Sequence, residues 1–369
     1  MATASKRAPV ILLHALSLLS CATPAPTSSS ASSRATTTAA PPGSPSAESS
    51  VTASPFEASL ASLEEAIRVR YAHRDRRGID WPKRFEDARR SLSGVTTKEG
   101  FVQVLAGLLG EAQDPHIAIV TARGVTGTDP RKIPQNVELA PLRARVPDLK
   151  FPGRCLSTGT VDGFAYALLN SLEKGKCDRL PDEWDAAWPE LARSRGMIVD
   201  MRGNQGGNEE YGRAIAGHFV SADTPYVRTE ALEPPELQDP TGREPLRFAA
   251  PYTHVLRARG AAPYGKPVVV LIGALDMSSA ELFVLMMRAA GATLVGARTR
   301  GASANPRPIP IGEDLVVNIP SWRASLLDGT PLEGIGIAPD RPVETTPESF
   351  ASTDPVIDAA VAVLRERVR

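Results

Sequence analysis

The sequence carries no net charge and none of the short motifs by which metal sites are usually recognised. Its 369 residues include 42 basic and 42 acidic side chains, so nothing in its charge favours nucleic acid or another strongly charged partner. Only five histidines and three cysteines are present, and H-E-x-x-H, C-x-x-C and clustered histidines are all missing. We therefore expect no metal, no cofactor and no nucleic-acid partner.

The start of the chain has the pattern of an export signal. A basic beginning precedes an apolar run over 8–19, which is too short to cross a membrane as a mature helix and leads into Leu18-Leu19-Ser20-Cys21. This ending resembles the bacterial lipobox, in which the Cys is lipidated and becomes the mature N-terminus. We expect 1–21 to be a lipoprotein-type signal peptide and Cys21 to carry a lipid anchor, which places the protein in the periplasm or at the cell surface. An ordinary signal peptide, with a periplasmic or secreted product, is the alternative.

Few cysteines remain to form disulfides. If Cys21 carries lipid, Cys155 and Cys177 are left as a pair. A cysteine pair in an exported protein indicates a disulfide, with two free or buried thiols as the alternative.

Composition divides the rest of the chain into three parts. Residues 22–55 are rich in Ser, Thr, Ala and Pro, so they cannot bury enough apolar surface to fold and are predicted to be a disordered tether. Apolar residues at helical spacing predict three helices and a helical subdomain over 56–113. Alternating strands and helices predict an α/β domain over 114–369, although 121–159 shows no assignable pattern.

Two strand–turn–helix segments bring together the groups that acyl transfer requires. The apolar strand 196–201 runs into a glycine loop over 202–208, which lacks G-x-G-x-x-G and Walker spacing and fits a nest of N–H donors for an oxyanion better than a phosphate cradle. The second apolar strand, 268–272, leads to Ser278 and Ser279 at the start of a helix. Unpaired N–H groups meet there, so a nucleophile with an oxyanion hole is one interpretation and a helix cap is the other.

The histidines offer few candidates for a general base. His116 lies in a turn at the head of a strand, directly after Asp114 and Pro115, and catalytic groups tend to lie in such turns. His73 falls in a charge-rich segment that we expect to be helical and at the surface. G-x-S-x-G is absent, which argues against an ordinary α/β-hydrolase.

Several segments occur together in the order found in one family. These are Met197–Gly207, Lys266–Leu271, Ser278–Glu281, Leu294–Gly301 and Glu333–Asp340, with Asp114-Pro115-His116 upstream. Over residues 57–369 the chain resembles the tail-specific, or C-terminal processing, serine peptidases, a family that includes the tricorn protease core and retinoid-binding repeats. The resemblance implies an α/β fold with a crotonase-like ββα spiral core, preceded here by the small helical subdomain.

The resemblance also implies roles for the serines and glycines. The family's nucleophile lies three residues before the Glu of the S-x-A/S-E motif, which corresponds to Ser278 and Glu281. Its oxyanion hole uses the N–H after the nucleophile, here that of Ser279, and one from the glycine loop, here that of Gly206 or Gly207.

The implied base separates two subclasses of the family. Processing peptidases of the Ser/Lys type carry a Lys after T-x-G, whereas Thr299-Arg300-Gly301 is followed here by Ala302. Arg300 is a poor base because its guanidinium stays protonated. The tricorn-like Ser/His subclass instead uses a His from the N-terminal part and a Glu near the end, which His116 and Glu333 match.

The resemblance therefore implies an exported serine peptidase that cleaves peptides or polypeptides through an acyl-enzyme on Ser278, with His116 as general base. Glu333 would act through the polar network that orients this pair. Pro115 stands where tricorn has a Ser, and no PDZ domain is evident between His116 and Asp200. These departures keep open a non-catalytic protein that binds a small ligand or peptide on the same fold; an esterase is a third interpretation.

Overall fold

The computed structural model describes residues 54–260, 262–312 and 314–368. The predicted signal peptide over 1–21, the lipidated Cys21 and nearly all of the tether over 22–55 lie outside these residues. Among the described residues, no helix combines the length and the apolar character that crossing a membrane requires.

The described residues form a mixed α/β fold. The helices are α1 Glu57–Arg70, α2 Trp81–Ser91, α3 Lys98–Gly110, α4 Leu139–Arg145, α5 Leu180–Leu191, α6 Glu209–Ala216, α7 Ser279–Ala289 and α8 Pro355–Arg367. The strands are β1 Ala118–Thr121, β2 Gly124–Gly127, β3 Leu156–Val161, β4 Phe164–Leu169, β5 Met197–Asp200, β6 Thr224–Ala231, β7 Tyr252–Leu256, β8 Val268–Ile272, β9 Thr293–Gly296, β10 Pro306–Gly312, β11 Leu315–Pro320, β12 Trp322–Ser325 and β13 Arg341–Pro342. The three predicted N-terminal helices and both strand–turn–helix segments are confirmed.

A six-stranded sheet positions the two loops of interest. Its order is β13-β9-β8-β5-β4-β3, and its strands are parallel except for the β3–β4 pair. β5 and β8 are neighbours, with Asp200 opposite Leu271, so the loops after their carboxyl ends leave the same edge of the sheet. One of these is the glycine loop 202–208 and the other leads to Ser278.

Both faces of this sheet are covered, which explains the unbroken apolar sequences of β5 and β8. Successive residues of a strand point to opposite faces. Val199 and Val270 accordingly lie in the core that includes α7, whereas Ile198 and Val269 lie in the core that includes α8.

The N-terminal helices pack on a second, antiparallel sheet of order β10-β11-β1-β2. Leu60 and Phe101 of the helices share one core with Ile119 and Val317 of the strands. β1 begins two residues after His116, so this core holds the turn that carries the histidine. A third sheet has the order β12-β6-β7.

The segment without a predicted pattern, 121–159, contains β2, α4 and the start of β3. At its end Cys155 is joined to Cys177 by a disulfide, with their Cα atoms 5.6 Å apart. The bond closes a loop between the start of β3 and the turn before α5, and Leu172 lies inside that loop. The Leu172 N–H donates to the Gly206 carbonyl (3.0 Å), so the disulfide loop holds the glycine loop.

Candidate active site

Ser278 lies at the junction between the turn after β8 and helix α7. It occupies the N-cap position with φ 59° and ψ −133°, and its side chain makes no capping hydrogen bond. Positive φ is uncommon for a residue other than glycine and marks a conformation that the surroundings impose. Its backbone N–H donates to the Ala302 carbonyl (2.5 Å) and its carbonyl accepts from the Glu281 N–H (2.9 Å). The backbone of Ser278 is therefore held on both sides, while its hydroxyl does not cap the helix.

The glycine loop lies directly against Ser278. Gly206 has φ 88°, and a Cβ there would be 2.8 Å from Ser278 Cβ and 2.8 Å from the Ser279 nitrogen. The Ser279 hydroxyl donates to the Gly207 carbonyl (2.7 Å), which joins the two loops. Only glycine permits this approach at position 206.

The three predicted oxyanion donors differ in whether their N–H groups are already hydrogen-bonded. The Gly206 N–H is already engaged, since it donates to Asn204 Oδ1 (2.9 Å). The N–H groups of Ser279 and Gly207 meet no acceptor within the residues that the structure describes. These two N–H groups, rather than that of Gly206, are available to a ligand.

Asp276, which the sequence analysis did not identify, ties the two turns together. It is fully buried; its Oδ1 accepts from the Gly203 N–H and its Oδ2 from the Gly273 N–H, both at 2.8 Å. Burial raises the pKa of Asp276 well above its ordinary value. One carboxyl group thus fixes the start of the glycine loop relative to the turn before Ser278.

Glu281 holds the loop that follows β9. Its carboxyl accepts from the Thr299 hydroxyl (2.5 Å) and from the N–H groups of Gly301 and Ala302 (2.8 Å each). Burial raises its pKa to about 7. Since the Ala302 carbonyl accepts the Ser278 N–H, Glu281 acts on Ser278 through this loop.

Arg300, two residues before the position of the missing lysine, is held in an ion pair. It contacts Asp129, which also accepts from Arg131 Nη2 (2.8 Å). Its side chain is nine-tenths buried. Its charge lowers the pKa of His116, in addition to the larger effect of burial.

His116 is a buried and unpartnered imidazole. Only 7% of it is exposed, and neither ring nitrogen has a hydrogen-bond partner among the described residues. Asp114 Oδ1 accepts the backbone N–H of His116 (2.9 Å) and lies 3.8 Å from Nδ1. Burial lowers the pKa of His116 from its ordinary value, so the ring is neutral at neutral pH. A neutral imidazole can accept a proton.

The structure corrects the prediction for His73, which is buried rather than at the surface. Helix α1 ends at Arg70, and the following turn is pinned where the Ala72 N–H donates to the Pro320 carbonyl (3.0 Å). His73 is therefore drawn inward, with 6% exposed, and burial lowers its pKa to about 4. In the sequence, this turn is indicated only by the end of the apolar helical spacing at Tyr71. The charged residues that follow favour an exposed segment, so the burial of His73 could not be predicted from them.

Glu333 lies beside His73 and is linked to the Ser278 loop. Its Oε2 is 3.6 Å from His73 Nε2 and accepts the Ser303 N–H (3.0 Å). Ser303 follows Ala302, which binds Ser278. The predicted residues Ser278 and Glu333 are thus joined by one short loop, whereas Ser278 and the His116 ring form no hydrogen bond.

An open cavity of about 290 Å³ is lined by residues of β3, β4 and α5 such as Thr160 and Glu190. None of the candidate site residues lines it. The hydrogen-bonded arrangement around Ser278, rather than cavity size, marks this region as the candidate site.

Comparisons with known proteins show which family and which folds this chain is similar to. Residues 164–343 match the model of peptidase family S41. A protein from Parabacteroides merdae described as a candidate peptidase has a similar structure, with a TM-score of 0.71 at 21% identity over 83% of this chain and 96% of that one. Mature CPAF gives 0.60 at 13% identity over 83% and 95% of the two chains. The tricorn protease gives 0.54 at 14% identity over 85% of this chain and 37% of its own.

At these identities the three structures establish a shared fold, and residues 164–343 in addition match the model of peptidase family S41. Together the match over 164–343 and the shared fold support a serine-type peptidase, with the mixed α/β fold of these structural neighbours.

Proposed function

We propose that this peptidase cleaves peptide bonds through an acyl-enzyme on Ser278. The observation that carries the proposal is the half-buried Ser278 held at positive φ, with a hydroxyl that does not cap the helix and two unengaged N–H groups beside it. Strained residues persist where the surrounding structure imposes them, and they concentrate at active sites.

The N–H groups of Ser279 and Gly207 form the proposed oxyanion hole. They lie on the two loops that meet at Ser278, and the Ser279 hydroxyl keeps those loops together through the Gly207 carbonyl. Fixed donors of this kind stabilise the negative charge that develops on the substrate carbonyl oxygen. Asn204 keeps the Gly206 N–H out of this role.

His116 is the proposed general base. It takes the proton from the Ser278 hydroxyl as that oxygen attacks the substrate carbonyl, and it returns the proton to the departing amine. Water then hydrolyses the acyl-enzyme by the same route. Neither ring nitrogen has a hydrogen-bond partner among the described residues, so the unprotonated one can accept this proton. Catalytic hydrogen bonds are often longer in a free enzyme than in its substrate complex. Glu333 orients the network through Ser303 and the loop that binds Ser278.

The remaining proposals concern location and substrate. The lipobox-like ending at Cys21 supports export and a lipid anchor, which would hold the peptidase at a membrane surface through the Ser/Thr/Pro-rich segment. Peptides or polypeptides outside the cytoplasm are the substrates that this location implies.

The test is active-site labelling with a fluorophosphonate probe. Wild type is expected to be labelled and Ser278→Ala unlabelled, with peptide hydrolysis falling by on the order of 10⁴-fold or more. Ser221→Ala is the matched control, because Ser221 is exposed and lies outside the two loops that meet at Ser278, and it is expected to remain labelled. His116→Ala is expected to lose turnover while keeping its thermal unfolding temperature.

Three results would contradict parts of this proposal. Equal labelling of wild type and Ser278→Ala would remove Ser278 as the nucleophile. Full turnover by His116→Ala would require another base. Hydrolysis of simple esters without any peptide cleavage would favour an esterase, and an absence of labelling together with stoichiometric binding of an apolar ligand would favour a binding protein.

A further inference from the structure

Three buried side chains converge beside the proposed catalytic groups, from three separate parts of the chain. They are His73 after α1, Asp114 before β1 and Glu333 in the loop before β13. One nitrogen or oxygen from each lies within 4.8 Å of the other two. The proposed reaction uses Glu333 but assigns no step to His73.

We propose that His73, Asp114 and Glu333 form a binding site for one divalent transition-metal ion, best suited to Zn²⁺, and that the bound ion inhibits the peptidase. The inhibitory part rests on the proposed function; the binding site does not.

The first argument is the unused nitrogen. His73 Nε2 is buried and has no hydrogen-bond partner among the described residues, although it lies 3.6 Å from Glu333 Oε2. A buried imidazole nitrogen normally has a partner. Burial lowers the pKa of His73 to about 4, so the ring is neutral, and neutral imidazole is the form that binds metals.

The second argument is the charge. Asp114 is fully buried and Glu333 is 5% exposed; burial, and after it the charge of Asp114, raises the pKa of Glu333. Each Asp114 oxygen accepts one hydrogen bond, from the His116 N–H or from the Tyr71 hydroxyl (3.0 Å). Each oxygen therefore keeps a lone pair. Two buried carboxyl groups close together are costly to ionise unless they are compensated. The charge of Arg76 compensates Glu333 in part, and a divalent cation would compensate both groups.

The third argument is the match between the ligand set and the metal. One imidazole and two carboxylates are ligands that Zn²⁺ accepts, at about 2.0–2.2 Å, which places neighbouring ligand atoms about 3.3–3.6 Å apart in a tetrahedron. The three ligand atoms now lie at most 4.8 Å from one another. Each side chain would need to move towards the ion by only about 1 Å to reach the tetrahedral spacing. Ca²⁺ takes six to eight oxygen ligands and Mg²⁺ an octahedral set of oxygens, so neither suits this site.

Inhibition follows from the position of the ion. Binding would engage Glu333, which the proposed mechanism uses for orientation. It would also add positive charge next to Asp114, whose Oδ1 is 3.8 Å from His116 Nδ1. Engaging Asp114 would also disturb the carboxylate that accepts the His116 backbone N–H (2.9 Å) and so positions the proposed base.

The experiment is a calorimetric titration of the full chain, purified free of metal, with ZnCl₂ and separately with MgCl₂. Wild type is expected to bind one Zn²⁺ and no Mg²⁺, and His73→Asn to bind Zn²⁺ at least tenfold more weakly. His218→Asn is the matched control, because His218 pairs with Asp185 (3.0 Å) outside the site, and it is expected to bind like wild type. In peptide hydrolysis, Zn²⁺ is expected to inhibit wild type and His218→Asn reversibly on addition of a chelator, but not His73→Asn.

Equal Zn²⁺ affinity in wild type and His73→Asn would overturn the site. Zn²⁺ binding that leaves hydrolysis unchanged would overturn the inhibition and keep the site. If no peptide or probe reacts in the metal-free protein, the proposed function fails, while the calorimetric comparison still decides the site. If His73→Asn does not fold, the visible spectrum of wild type with Co²⁺ decides instead: intense four-coordinate bands support the site, and weak six-coordinate bands overturn it.

Discussion

A single methyl group added at Gly206 tests the contact between the glycine loop and the proposed nucleophile. The Cβ of Gly206→Ala would lie 2.7 Å from the Met277 carbonyl oxygen, 2.8 Å from Ser278 Cβ and 2.8 Å from the Ser279 nitrogen. All three belong to the segment that presents the serine. Gly203→Ala is the control, because Gly203 has nearly the same φ (84° against 88°) but a methyl there meets nothing within 4 Å.

The size of the effect follows from these distances. Carbon atoms pack at about 3.5–4.0 Å, so the methyl at position 206 must displace Ser278 Cβ by about 0.7 Å (3.5 minus 2.8). Both variants carry the cost of an alanine at positive φ, about 1–2 kcal/mol. Gly206→Ala adds about 1–3 kcal/mol of overpacking. Because one oxyanion donor contributes about 10²–10³ to kcat, we expect kcat to fall about 10²-fold in Gly206→Ala and little in Gly203→Ala.

The assay is peptide hydrolysis at saturating substrate, together with denaturant unfolding of both variants. The readout is the difference in kcat and in the free energy of unfolding between the two variants. The cost of an alanine at positive φ is common to both and cancels in this difference. Equal kcat values for Gly206→Ala and Gly203→Ala would refute the inference that the glycine loop sets the geometry at Ser278.

Further predictions concern the disulfide and Glu281. Cys177→Ser opens the disulfide loop that holds Gly206 through Leu172. For a loop with a sequence separation of 22, we expect the free energy of unfolding to fall by about 3 kcal/mol. Denaturant unfolding of the variant, and of wild type with and without reductant, checks this, and an unchanged unfolding midpoint would contradict it. Burial raises the pKa of Glu281 from 4.5 to about 7, so between these pH values the folded protein keeps a proton that the unfolded chain loses. The stabilisation from this proton is complete below pH 4.5 and is lost as pH rises to 7, a change on the order of 3 kcal/mol. Glu281→Gln should remove that part of the pH dependence in unfolding experiments, and an identical slope in both proteins would show that Glu281 does not titrate there.

The segments near Ser278 could be predicted because their information is local. An apolar run short enough for a buried strand, a turn of small residues and a helix start are all visible in consecutive residues, as in 268–272 followed by Ser278. The same holds for the glycine loop after β5. His116 and Glu333 required the family resemblance, since no local pattern connects a turn before β1 with a loop more than two hundred residues later.

Other features could not be predicted because they depend on distant partners. His73 stands among charged residues, and only the pinning of its turn to Pro320 shows that it is buried. In the sequence, Asp276 is one acidic residue in a turn. Only the structure shows that its two carboxyl oxygens accept hydrogen bonds from two different loops. Part of 121–159 packs against residues far along the chain, as when Leu142 of α4 shares a core with Val269 and Val295, so its sequence shows no periodic signal.

The sequence by itself determined the α/β class, the order of the strand–turn–helix segments and the presence of Ser278 and Ser279 at a helix start, because apolar period and turn chemistry are properties of neighbouring residues. Choosing Ser278 as the nucleophile required the family resemblance. The tertiary structure alone decided which N–H groups are free to meet a substrate, with Gly206 engaged by Asn204 and Gly207 left available. It alone brought His73, Asp114 and Glu333 together. Hydrogen-bond partners and burial arise when distant segments fold onto one another, so the spacing of residues along the chain does not contain them.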